Sequence, residues 1–119
     1  MSFYLLDTNV CIALDPTDLF LCPIVLGELY YGAFRSINPS RHLTLLGKLI
    51  ALVRYAPYDH AAAEAYGRLR AHLSAQGTPI GPHDMQIASI AVALRMVVVT
   101  HNVAEFSRVP GLIVEDWQT

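Results

Sequence analysis

The chain has 119 residues, of which 54% are hydrophobic and 15% are charged, and its formal net charge at pH 7 is −2. A chain of this length forms one domain with its own core, so residues 1–119 are treated as a single domain. The low charged fraction, against about 25% in an average soluble domain, favours a sheet covered on both faces and a protein partner. The slight negative charge excludes nucleic-acid binding through a basic overall surface, so such binding needs a local patch or bridging metal ions.

The first half of the chain alternates apolar runs with segments of helical pattern. In order, it predicts a strand at 3–6, a helix at 8–14, a turn at 15–18, a strand at 19–22 and a helix at 23–34. Pro23 suits the first position of that last helix. Asn38-Pro39-Ser40 then breaks the chain, and Ser40 is the candidate N-cap of a helix that ends near Val53.

The second half continues the alternation. In order, it predicts a strand at 55–58, a helix capped by Asp59, a turn at 76–79, a helix introduced by residues 81–84, and strands at 97–100 and 112–115. The run from Val97 to Val99 is wholly apolar, which is typical of a strand that is covered on both faces. Strands alternating with helices predict an α/β fold, with a mainly parallel central sheet flanked by helices on both faces.

Polar side chains follow or begin several of these elements. Asp7 follows the first strand, Glu28 lies one turn into its helix, Asp84 begins another helix and Asn102 follows a buried strand. In parallel α/β sheets, ligands bind beyond the carboxyl ends of the strands. Carboxylate and amide oxygens suit Mg²⁺ and Mn²⁺, and such ions can activate water for phosphodiester cleavage. The four residues therefore predict an acidic pocket for divalent metal.

Each residue also has an ordinary structural explanation. Asp7 and Asp84 are plausible helix caps, Glu28 could be a solvated acid favoured by the helix dipole, and Asn102 is a common turn residue. Thr8 and Asn9 could cap the first helix as well, which makes Asp7 redundant in that role and favours a functional one. No single residue is a strong signal; the prediction depends on the four together.

Several motifs, in this order, resemble the PIN domain, and specifically the VapC-type toxins of bacterial toxin–antitoxin pairs. They are Leu5-Leu6-Asp7-Thr8-Asn9, Gly27-Glu28-Leu29-Tyr30-Tyr31-Gly32, residues 79–88, Thr100-His101-Asn102 with Glu105-Phe106, and Glu115-Asp116-Trp117. The resemblance spans almost the whole chain. It implies a PIN-domain sandwich and a Mg²⁺- or Mn²⁺-dependent ribonuclease, cutting a structured RNA such as tRNA or rRNA and inhibited by a VapB-type antitoxin.

The resemblance also implies roles for individual residues. Asp7, Glu28 and Asp84 match the three acidic metal ligands, and Asn102 matches a position where family members have Asp or Asn. Thr8 matches the hydroxyl residue beside the first acid, where it could support a ligand or water. Glu105 is a possible extra acid, but a solvated surface group is the favoured interpretation.

One departure from the family pattern concerns the segment after the first strand and helix. Only 20 residues separate Asp7 from Glu28, where family members usually carry an additional helix. A shortened groove wall could weaken substrate or antitoxin binding. The alternative function is therefore a PIN module that binds antitoxin or RNA without cleaving. A second rival, a phosphatase with Asp7 as nucleophile, lacks its acid/base partner because position 9 is Asn.

Further surface residues have two interpretations. Arg35, Arg68, Arg70 and Arg108 could form a phosphate-contacting rim, although a scattered, solvated placement is favoured for at least two of them. His83 and His101 adjoin the site residues and could assist phosphate or metal binding, but surface placement is favoured. Tyr30 and Tyr31 could face a partner groove, because aromatic residues are enriched in interface cores, but one of them is expected in the core of the protein.

Composition and cysteine content lead to the remaining expectations. Cys11 and Cys22 are interpreted as buried thiols of a cytoplasmic protein. No basic segment precedes Phe3, and the apolar tract 88–99 is too short for a membrane span, so no signal peptide or membrane segment is expected. The high apolar content favours a homodimer.

Overall fold

The computed structural model describes residues 2–7 and 18–117. Within them, five strands form one sheet: β1 (Tyr4–Leu6), β2 (Leu19–Leu21), β3 (Arg54–Tyr55), β4 (Val97–Val99) and β5 (Val114–Glu115). Their order across the sheet is β3-β2-β1-β4-β5, and every neighbouring pair is parallel. The predicted mainly parallel sheet is confirmed.

Helices occupy most of the remaining described chain. They are α1 (Pro23–Phe34), α2 (Pro39–Leu52), α3 (His60–Ala75), α4 (Pro82–Leu94) and α5 (Val103–Phe106). Helix α1 has the bounds predicted for the helix at 23–34, with Pro23 at its first position. The predicted cap of α3 is also confirmed, because Asp59 Oδ1 accepts a hydrogen bond from the Ala62 amide at 3.1 Å.

The strand predicted at 112–115 is limited to Val114–Glu115, and two other local predictions are wrong. The N-cap of α2 is Asn38 rather than Ser40: Pro39 takes the first helical position, and Asn38 Oδ1 accepts from the Arg41 amide at 3.2 Å. The strand predicted at 55–58 is only Arg54–Tyr55. Pro57 has no amide hydrogen to continue a ladder, which accounts for the early end of this edge strand.

The core lies on both faces of the sheet. All three residues of β2 and all three of β4 are buried, and successive side chains in a strand point to opposite faces. Both faces must therefore be covered, as the apolar run 97–99 predicted. Cys22 is a buried free thiol, as predicted, whereas Cys11 lies outside the described residues. Within the described parts of the chain, no helix is both long and apolar enough to cross a bilayer.

The parallel arrangement brings distant polar residues to one edge of the sheet. Leu6 of β1 pairs with Val99 of β4, so the residues that follow these strands leave the sheet side by side. The Asp7 amide donates to the Val99 carbonyl at 2.9 Å, which extends the pairing by one residue. Because α4 leads directly into β4, its N-terminus must lie near the end where β4 finishes. The predicted helix at 8–14, with Thr8 in it, and the first three residues of the turn predicted at 15–18 lie outside the described residues.

Candidate acidic active site

Asp7 is held in place by the neighbouring strand. Thr100 follows β4, is fully buried and donates from Oγ1 to Asp7 Oδ2 at 2.5 Å. The same hydroxyl oxygen accepts from the Asn102 amide at 3.0 Å, which connects Asp7 to the loop that carries Asn102. Burial raises the pKa of the Asp7 carboxyl, and the Thr100 hydrogen bond partly opposes that rise. Within the described residues, contacts with β4 and with Thr100 orient the aspartate.

The structure brings the three predicted acids together. Asp7, Glu28 and Asp84 line one cavity of about 270 Å³ at the carboxyl edge of the sheet. Its apolar wall comes from α1 and α4 and includes Ile24, Val25, Leu29 and Ile87. His83 also lines the cavity, and its Nδ1 lies 3.2 Å from Glu28 Oε1. The cavity therefore has carboxylates on one side and apolar side chains of α1 and α4 on the other.

Asn102 joins the acids through its side-chain amide. Its Nδ2 donates to Asp84 Oδ2 at 2.9 Å and to Glu105 Oε2 at 2.6 Å. The other oxygen of Glu105 accepts from the Gly81 amide at 2.5 Å, directly before α4 begins. The loop after β4 is thus connected to the start of the helix that carries Asp84.

The interpretation of Glu105 as a solvated surface group is wrong. Both of its carboxylate oxygens are engaged, and it interacts with Asp84. The three-residue spacing from Asn102 was the available signal, because residues three apart share one side of a helical turn. What the spacing could not show is the contact with Gly81, which is 24 residues away in sequence.

The electrostatics distinguish the two neighbouring carboxyls. The pKa of Asp84 is raised to about 6, first by burial, then by its hydrogen bond with Glu105 and by the charges of Asp7 and Glu105. The pKa of Glu105 is lowered, chiefly because the Gly81 amide and Asn102 donate to its charged form. As the pH falls, Asp84 is therefore the carboxyl of this pair that takes up a proton first.

The donor set fits Mg²⁺ or Mn²⁺. Carboxylate and amide oxygens are the ligands these ions prefer, and both ions keep several waters, so few protein ligands are needed. Within residues 2–7 and 18–117, no three His, Cys, Asp or Glu side chains are gathered into a ready-made metal site. Asp7, Glu28 and Asp84 nevertheless line one cavity, where a cation would offset the repulsion between their like charges.

Other predicted residues have mixed outcomes. The expectation that either Tyr30 or Tyr31 is in the core is wrong, because the two are 39% and 60% exposed. His83 and His101 are at the surface, as favoured.

The four arginines considered for a rim are exposed and occupy separate places. Arg68 lies 3.5 Å from Glu64, and Arg35 donates to the Tyr31 hydroxyl. Arg70 donates to the Tyr66 hydroxyl, and Arg108 donates to the Pro79 carbonyl. A continuous arginine rim is therefore not seen.

Comparison with known proteins gives one consistent result. The PIN domain profile matches residues 4–112. The tRNA(fMet)-specific endonuclease VapC of Salmonella typhimurium is 38% identical, over 98% of this chain and 99% of its own length. Ribonuclease VapC2 of Rickettsia felis is 32% identical, over 96% of this chain and 97% of its length. The Salmonella alignment spans 131 positions, whereas this chain has 119 residues, so the chain lacks residues that this relative has.

Solved structures agree with the sequence relatives. The crystal structure of DNA-bound VapBC from Salmonella typhimurium matches with a TM-score of 0.89 and 38% identity, covering 98% of this chain and 99% of the other. VapBC-1 from nontypeable Haemophilus influenzae matches with a TM-score of 0.84 and 30% identity, covering 98% and 99%. The all-parallel sheet, the acids at its carboxyl edge and these relatives show that the chain belongs to the PIN domain family, among the VapC-type ribonucleases.

Proposed function

We propose that this protein is a metal-dependent endoribonuclease toxin that cuts a structured RNA and is inhibited by a VapB-type antitoxin. The observation that carries the proposal is the cavity in which Asp7, Glu28 and Asp84 meet at the carboxyl edge of a PIN-type sheet. The name of the Salmonella relative, a tRNA(fMet)-specific endonuclease, supports a tRNA-like substrate.

Each residue of the acidic site has its own proposed role. Asp7, Glu28 and Asp84 would hold Mg²⁺ or Mn²⁺, and Asn102 orients Asp84 through the hydrogen bond from its amide. Thr100 fixes the Asp7 carboxylate, and Glu105 ties the loop after β4 to the start of α4. A bound divalent ion supplies charge neutralisation at the RNA phosphate and an activated water. Thr8 remains a proposed supporting residue on grounds of sequence alone.

The proposed antitoxin site is an apolar groove between α1 and α2. Its cavity of about 430 Å³ includes Leu29, Leu45 and Leu49, and Glu28 stands at its border. Exposed large side chains, among them Tyr31, continue the apolar surface along the same two helices. Because Glu28 lines both this groove and the acidic cavity, an antitoxin segment bound here would reach the metal ligands. The related solved structures are VapBC complexes, which supports a partner of this class.

A homodimer in the cytoplasm completes the proposal. The exposed apolar side chains support association, and RNA substrates are found in that compartment. Light scattering of the purified protein at micromolar concentration should give twice the monomer mass. A clean monomer there would contradict the homodimer.

Cleavage of total cellular RNA by the purified, antitoxin-free protein tests the main proposal. We expect discrete fragments with Mn²⁺ that disappear with EDTA and with Asp84→Asn. The matched control is Glu64→Gln, which also converts an acid to its amide but lies exposed on α3 beside Arg68. A folded protein that binds metal but leaves RNA intact would instead support the alternative, a module that binds antitoxin or RNA without cutting.

A further inference from the structure

A further cavity opens on the side of the α4 N-terminus opposite the acidic cavity. This α3–α4 cavity has a volume of about 250 Å³, and its lining includes Tyr66, Arg70, Leu73, Ser74, Pro79 and Met85. Pro82 and Met85 of α4 face it, whereas His83, Asp84 and Ile87 face the acidic cavity. With about 100° between successive helical residues, these two sets lie on opposite sides of the first turns of α4.

The two cavities are close enough for one RNA strand to contact both. Only the start of α4 separates them, and a helix with its side chains is about 10–12 Å across. The ridge between them is Pro82-His83, and both residues are exposed. A single strand that crossed this ridge would place one nucleotide at the carboxylates and a neighbouring nucleotide over the α3–α4 cavity.

The lining of the α3–α4 cavity suits a nucleotide. Leu73 and Met85 are buried and form an apolar floor, while Arg70 and Ser74 are exposed at the rim. Unpaired RNA bases are bound by stacking on aromatic rings and arginine planes, with cations at the phosphates. Ligand pockets begin at about 300 Å³, so a cavity of this size holds a single base rather than a longer segment.

Tyr66 positions the Arg70 guanidinium at the cavity, where it could contact a nucleotide. Its Nη1 donates to the Tyr66 hydroxyl at 3.1 Å, and its guanidinium carbon lies 5.8 Å from the centre of the Tyr66 ring. Tyr66 is in turn packed edge-on against Tyr58, with 6.5 Å between ring centres. A guanidinium carries five N–H donors, so most remain for a phosphate or a base edge.

The loop at residues 79–81 forms another wall of the α3–α4 cavity, and two hydrogen bonds anchor it. Arg108 Nη1 donates to the Pro79 carbonyl at 2.9 Å, and the Gly81 amide donates to Glu105. Arg70 and Arg108 thus place two positive charges beside a site that is otherwise acidic. A chain with a net charge of −2 can hold a polyanion through a local positive region of this kind, beside any bridging metal ions.

We propose that the α3–α4 cavity is a nucleotide subsite for the RNA, which takes an unpaired base next to the cleaved phosphate through Tyr66 and Arg70. This inference rests on the proposed ribonuclease function, since it assigns a substrate contact to that activity. It makes Arg70 an RNA-binding residue and leaves the chemistry to the carboxylates.

The test compares two arginines of one helix. Arg70→Gln and Arg68→Gln both remove an exposed arginine from α3, but only Arg70 lines the cavity. Binding of a fluorescein-labelled random hexaribonucleotide is measured by anisotropy with Mn²⁺ in an Asp84→Asn background, in which the RNA stays uncut. We expect Arg70→Gln to weaken binding about tenfold and Arg68→Gln less than twofold, in line with reported stacking and cation–π contributions.

A second variant, which blocks the cavity without changing Arg70, tests whether Arg70→Gln weakens binding only by disturbing the fold. Ser74→Trp places a large ring at the exposed mouth of the cavity and should weaken RNA binding to a similar degree, with an unchanged melting curve. Equal effects of the two arginine variants, or no measurable RNA binding, would overturn the subsite. Unchanged RNA binding with a shifted monomer–dimer equilibrium would also overturn it and assign this face to a protein contact.

The cleavage assay separates this proposal from the ribonuclease itself. With Asp84 intact, Arg70→Gln should raise KM about tenfold and leave kcat unchanged. If the wild type cleaves RNA but the two arginine variants behave alike, only the subsite fails. If the wild type cleaves nothing, the ribonuclease proposal fails, and the binding measurement still decides whether the cavity holds RNA.

Discussion

The raised pKa of Asp84 predicts how the affinity of the proposed metal site for Mn²⁺ depends on pH. A divalent ion binds the carboxylate and not the carboxylic acid, so protons compete with the metal. With a pKa of about 6, Asp84 is almost wholly ionised at pH 7.5 in the metal-free protein, but only about a tenth ionised at pH 5. Lowering the pH over this interval should therefore weaken binding.

The size of the effect distinguishes a raised pKa from an ordinary one. An aspartate at its usual value of 3.8 remains more than about 90% ionised at pH 5 and changes affinity less than about twofold. The shifted Asp84 lowers the apparent association constant about tenfold. The raised pKa of Asp7 acts in the same direction, whereas the lowered pKa of Glu105 keeps that group ionised throughout.

Isothermal titration of Mn²⁺ at pH 5 and pH 7.5 measures this directly. Buffers of different ionisation enthalpy should show nearly one proton released per bound ion at pH 5 and close to none at pH 7.5. Asp84→Asn should bind more weakly and lose most of the pH dependence. A change in wild-type affinity of less than twofold would refute the argument, because Asp84 would then titrate like an exposed carboxyl.

Three further predictions concern stability and the acid pair. Asn38→Ala should destabilise the fold by about 1 kcal/mol in urea unfolding, because α2 loses its cap, whereas Ser40→Ala should be nearly neutral; equal effects would contradict the assigned cap. Leu5→Ala, at a fully buried position in the central strand, should cost about 2–5 kcal/mol by the same assay, and a smaller loss would mean that the sheet collapses around the gap. The folded pKa of Asp84 lies above its unfolded value, so ionising it opposes folding, and the metal-free protein should lose stability as the pH rises from about 4 to 6. Glu105→Gln removes one cause of that shift and should move the loss, followed by melting temperature, to lower pH; an unmoved profile would mean that burial alone sets the pKa.

Local patterns predicted the regular elements well where the signal is carried by neighbouring residues. The bounds of α1 follow from Pro23 and from an apolar pattern inside one helix. The cap of α2 was placed two residues too late, because both Asn38 and Ser40 are capping residues and only the position of Pro39 decides between them. Residues 55–58 looked like a full strand, but an edge strand ends where a proline interrupts the ladder.

The sequence alone determined the α/β class, the strands that are buried on both sides, and the candidate metal ligands Asp7, Glu28 and Asp84. These conclusions depend on periodicity and residue chemistry, which are local properties of the chain. Only the tertiary structure decided that the three acids share a cavity and that Glu105 accepts a hydrogen bond from Gly81 at the start of α4. Contacts across 24 or 93 residues arise from strand order and helix packing, and no local pattern encodes them.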